Sequence, residues 1–120
     1  MSSDEKVDTE ELLINLAIES WRLSRVFQRS IDARDIRAAS RQSNQLRYFQ
    51  RKLQDSLAPL GLRLVDLDGQ PYDEGMAAAA LNAADFDPDD VLYVDQMMEP
   101  IVMGPDGVRR TGTMMLEVKS

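Results

Sequence analysis

Leu57-Ala58-Pro59-Leu60-Gly61-Leu62-Arg63-Leu64-Val65-Asp66-Leu67-Asp68-Gly69 is the stretch at which this chain changes its kind of structure. Before it, apolar residues recur every three or four positions, the spacing of one helix face. After Gly61 the apolar residues Leu62, Leu64, Val65 and Leu67 crowd together and run into Asp68-Gly69, a turn signal that belongs with strands. Gly61 is suited to the left-handed position that ends a helix, and Leu62 can then fold back on Leu57. Helices are therefore expected upstream and strands downstream.

Upstream, Asp8-Thr9-Glu10-Glu11 places an N-cap acceptor three residues before a glutamate, so a first helix is expected to begin near Asp8. Residues 1 to 9 are read as a disordered N-terminus, 10 to 61 as a helical dimerisation region and 62 to 120 as a small β domain. Leu12, Leu13, Ile14, Leu16, Ala17, Ile18, Trp21, Leu23, Val26 and Phe27 cover more than one stripe of the first helix, so two of its faces need burial. A second helix is expected from Asp32, with Asp32 as N-cap, Asp35 at N3, and Ile31 and Ile36 as a hydrophobic staple. Its apolar positions, Ile36, Ala39, Leu46, Phe49, Leu53, Leu57 and Leu60, keep to one side. One such helix covers only one face of the first, and large apolar side chains left in water cost ~1.5 to 3 kcal/mol each. A homodimeric four-helix bundle is the simplest remedy, with Leu16, Trp21, Leu23, Phe27, Leu46, Phe49 and Leu53 at its interface.

Downstream, Val91 to Val94 is β-rich, and Ile101 to Met103, a Gly104 to Gly107 turn, then Val108 and Thr113 to Val118 read as two strands around that turn. Met76 to Leu81, with its four alanines, is the one helical insert expected there. The fold class is α+β. Adjacent methionines in a strand face opposite ways, so one of Met97 and Met98, and one of Met114 and Met115, is expected to point outward. Asp85 to Asp90 begins like a calcium loop but has Asp90 where the glycine belongs and Gln96 where the closing glutamate belongs; it is read as a solvated turn, and no metal is expected.

The 120 residues suffice for a single core. With no cysteine and no histidine, disulfides, cysteine-ligated zinc and the usual general base are excluded. The Asp73-Glu74 carboxylate pair stands without a nucleophile, metal set or phosphate loop, so neither an enzyme nor a cofactor is expected. The acidic N-terminus and short apolar runs point to a cytoplasmic protein off the membrane. A net charge of −7 divides into −4 over residues 1 to 11, +5 over 12 to 62 and −8 over 63 to 120. The middle segment suits an acidic partner, while the acidic C-terminal half disfavours nucleic acid. Arg22, Arg25 and Arg29, then Arg34, Arg37 and Arg41, line one face of each helix.

Leu60-Gly61-Leu62-Arg63-Leu64-Val65-Asp66-Leu67-Asp68-Gly69-Gln70-Pro71-Tyr72-Asp73 resembles the helix end, first strand, glycine turn and aromatic-Asp pair of the GrpE family of nucleotide exchange factors. Pro88 to Val91 and Gly107 to Val118 look like that family's next strand start and its closing Gly-Arg hairpin. The resemblance spans about residues 10 to 120 and implies a dimer whose β domain binds the nucleotide-binding domain of a DnaK-type chaperone and releases ADP. It implies partner contacts at Met97, Met98, Pro100, Ile101, Arg109, Arg110 and Met114. The chain departs from the family in its shortened N-terminal helical stalk, in Glu74 and Ala77 where Pro and His are usual, and in Gly112 near the place of a second arginine. These departures suggest an alternative, an adaptor of the same fold that has lost exchange and binds through its basic helices.

Overall fold

A computed structural model describes residues 8–119. The expectation for residues 1 to 7 lies outside them, while Asp8 and Thr9 belong to the start of helix α1, Thr9–Ser30. As expected, the Asp8 carboxylate accepts the Glu11 N–H, at 3.1 Å. Helix α2, Ile36–Leu57, is capped differently from the expectation: Asp35, not Asp32, is its N-cap and accepts from the Ala38 N–H at 3.1 Å. Asp32 is already satisfied two residues ahead, where it accepts from the Arg34 backbone N–H and Nε, both at 3.0 Å, and closes a turn of its own. A 3-10 turn, Ala58–Leu60, follows α2. Gly61 takes φ +69°, and the Leu62 N–H donates to the Leu57 carbonyl at 3.2 Å, the ending read from the sequence.

Beyond it lie two small sheets. One contains β1 (Arg63–Val65), β4 (Ile101–Gly104) and β5 (Gly107–Arg110) in the order β1-β4-β5, all antiparallel. The other contains β2 (Ala78–Ala80), β6 (Gly112–Val118) and β3 (Leu92–Glu99) in the order β2-β6-β3, with β2 parallel and β3 antiparallel to β6. The fold is thus α+β, two helices followed by mostly antiparallel sheets.

Two expectations are corrected. Met76 to Leu81 is not helical: Ala78 to Ala80 pair with Gly112 to Met114, and ladder bonds from Gly112 N–H to Ala77 and from Leu81 N–H to Met114 outweigh alanine's modest helix preference. The segment from Val108 to Val118 is two strands rather than one, parted at Thr111 so that β5 and β6 enter different sheets. Gly112 permits the crossing, since a Cβ there would come within 2.6 Å of the Glu99 carbonyl oxygen.

Ile14, Ala17, Ile18 and Trp21 of α1, Leu57 of α2, and Leu62, Leu64, Val94, Met97, Ile101, Val102, Met114 and Leu116 form one buried cluster. Helices and sheets therefore share a core. Two amide side chains extend the strand ladders. Gln54 donates to the Leu64 carbonyl at 2.8 Å and accepts its N–H at 3.1 Å, covering the open edge of β1. Asn82 does the same for Leu116 of β6, at 3.0 and 2.8 Å. Among the described residues no helix is long and apolar enough to cross a membrane.

Candidate interaction surfaces

At 100° per residue, Ile14, Ala17, Ile18 and Trp21 fall on one side of α1, and Leu12, Leu16, Leu23, Val26 and Phe27 on the other. The first set is buried; the second is exposed, with Leu16 at 65% and Leu23 at 69%. Along the second set, Leu23, Val26 and Phe27 meet Leu46 and Phe49 of α2 across an open groove of about 540 Å³. The residues expected at a dimer interface therefore divide. Leu16, Leu23, Phe27 and Phe49 are exposed on the helix pair, whereas Trp21 and Leu46 are buried within the single chain and Leu53 packs against its core. Trp21 is covered by the chain's own fold, with the Arg25 guanidinium 4.9 Å above its ring.

The residues expected at a partner contact divide likewise. Met97, Ile101 and Met114 present almost no surface because β3, β4 and β6 turn them into the core, and Pro100, at the junction of β3 and β4, is buried as well. Met98 is 37% exposed and faces outward, as the alternation required. It lines a cleft with Arg22, Val26, Arg29 and Leu81, between α1 and the second sheet. Arg109 and Arg110 reach back to the first turn of α1: Arg109 pairs with Glu10, and Arg110 with Glu11.

The arginine rows of the two helices meet different surroundings. On α1, Arg25 pairs with Asp68, whose other oxygen accepts the Met97 N–H at 2.8 Å, and Arg29 donates to Gln96 at 3.1 Å. That row ties α1 to β3. On α2, Arg37, Arg41, Arg47, Arg51 and Lys52 are exposed and form no ion pair among the described residues. Asp68 is a turn residue and Glu10 and Glu11 are helix-start signals in the sequence; all three also serve as anchors for distant arginines, a role with no local signal. The acidic run Asp85 to Asp90 forms a turn in which Asp90 accepts the Asp87 N–H at 2.9 Å. Among the described residues no group of three or more acidic side chains is placed to hold a metal ion. The chain matches no family model, and no curated protein or solved structure is detectably similar to it.

Proposed function

We propose that this chain acts by protein contact, as a GrpE-like co-chaperone that binds the nucleotide-binding domain of a DnaK-type chaperone and promotes ADP release without covalent chemistry. The observation that carries this reading is the order of parts. A helix pair runs through Gly61 directly into a small two-sheet unit, whose hairpin carries adjacent arginines and whose β3 exposes Met98. This order accompanies the sequence resemblance at Leu60 to Asp73. In this reading the protein is a cytoplasmic homodimer. The exposed stripe of α1 and the groove beside Phe27 and Phe49 supply the apolar face by which two helix pairs form a four-helix bundle. The partner surface is narrower than the resemblance alone implies and consists of Met98, Arg109 and Arg110.

Release of a fluorescent ADP analogue from a DnaK-type chaperone of the same organism tests the proposal. Acceleration by the protein, reduced by Met98→Glu, is expected; unchanged release at saturating protein overturns it. The basic face of α2, unpaired among the described residues, favours a second reading, an adaptor that docks an acidic partner there. Under that reading Arg37→Glu/Arg41→Glu abolishes partner capture from lysate, while purified chaperone is not retained.

A further inference from the structure

Consecutive residues of a strand ordinarily point to opposite faces. Arg109 and Arg110 do not. The pairing of β4 with β5 slips between Val102 and Met103: Val102 faces Arg110, Met103 faces Val108, and Arg109 is the extra residue of a bulge. Both guanidinium groups consequently meet the first turn of α1. Arg109 pairs with Glu10 and stands 3.8 Å from Glu11, while Arg110 pairs with Glu11 and donates to the Asn15 side chain at 2.8 Å. The stem of Arg109 lies across Gly104, where a Cβ would come within 2.8 Å of its Cγ. A bulge and a glycine thus hold two forked cations side by side.

We propose that Arg109 and Arg110 form a docking site for a carboxylate-rich segment of a partner protein, and that Glu10 and Glu11 occupy this site in the free chain as a built-in competitor. The inference rests on reading the hairpin as partner-facing. A guanidinium matches a carboxylate by two parallel hydrogen bonds, so the glutamates already display the ligand chemistry the pair accepts. The four charged side chains are 33% to 40% exposed, which leaves them open to exchange with an incoming carboxylate. Pairs at such exposure are individually weak, and a partner's acids replace the internal ones like for like. The two arginines are half of the four basic residues between 63 and 120, in a segment of net charge −8. A long polyanion such as a nucleic acid must cross more of that negative field than a short carboxylate-rich segment does.

The probe is a fluorescein-labelled octaglutamate peptide, its anisotropy followed at low salt with the full chain. Wild type is expected to bind weakly, and E10Q/E11Q roughly tenfold more tightly, the equilibrium weight of about two exposed ion pairs. Adding R109Q/R110Q to that variant removes the gain. No gain in E10Q/E11Q overturns the proposal, and so does a gain that survives R109Q/R110Q, which assigns the peptide to α2. Should E10Q/E11Q fail to fold, E11Q alone, which removes the carboxylate paired with Arg110, is read in the same way. Because ADP release is not the readout, failure of the exchange reading and failure of this one are separable.

Discussion

Asp32 and Asp35 lie in the same interhelical turn, yet their carboxylates do different things. The Arg34 guanidinium, and then the Arg34 backbone N–H, hold the Asp32 carboxyl below its ordinary value of 3.8. A value depressed in the folded state means stability that is present in full above 3.8 and lost as pH falls toward the folded value. In an NMR titration the Asp32 midpoint should lie below 3.8, and Arg34→Ala should raise it; equal midpoints in the two proteins would refute the pairing. Asp35 caps α2 instead, so Asp35→Ala should lower stability by about 1 kcal/mol, while Asp32→Ala should cost clearly less. Denaturant titration of both variants separates cap from turn, and a larger loss at Asp32 would reverse the assignment. Gln54 is the third residue of this kind. Its amide makes both hydrogen bonds to Leu64, so Gln54→Ala should cost ~1 to 3 kcal/mol by leaving part-buried backbone groups unpaired.

At the scale of elements, signals that act across the chain were not legible, and those that act within a few residues were, except at the start of α2, where Asp32 and Asp35 both offer a cap and Arg34 takes up Asp32. Asp8 and Gly61 mark helix ends because a cap is chemistry between near neighbours. Gly61→Ala should destabilise by ~1 to 2 kcal/mol from the left-handed backbone alone. The cost should be larger still because the new Cβ would stand 2.6 Å from Pro105 Cγ in the β4–β5 turn. A melting temperature equal to wild type would show that this turn yields freely. β2 was illegible for the opposite reason: its alanines carry a weak helical preference, and what makes them a strand is β6, more than thirty positions away. The candidate site shows the same division. Alternation sufficed to turn one methionine of each adjacent pair outward, but it could not say that Pro100 and Ile101 are buried. The hairpin arginines were legible only as partner contacts implied by the resemblance, and their glutamate partners had no signal at all, since Glu10 lies 99 positions from Arg109.

The whole molecule is more open than its length requires, with a radius of gyration of 17.1 Å against about 14 Å for a compact chain of this size. Part of the exposed carbon is the outer stripe of α1 with Phe49 of α2 beside it. Side chains that large at 37% to 69% exposure leave on the order of 600 Å² of apolar surface in water. That is at the upper end for a monomer's largest patch and close to the ~800 Å² each partner contributes to a standard interface. In the proposed homodimer, two-fold pairing would cover the stripe with its own copy, an arrangement that closes and does not propagate. The two faces of α1 then predict opposite outcomes for residues only two positions apart. Leu23→Glu, on the outer face, should reduce the mass seen by light scattering from about twice 13.6 kDa to a single chain, with the fold and the buried fluorescence of Trp21 retained. Trp21→Ala, on the inner face, should cost ~3 to 5 kcal/mol and unfold the chain at moderate denaturant, because it empties a core shared by helices and sheets. A wild-type protein that scatters as a single chain at micromolar concentration would leave the outer stripe to some other partner and remove the four-helix bundle from the account.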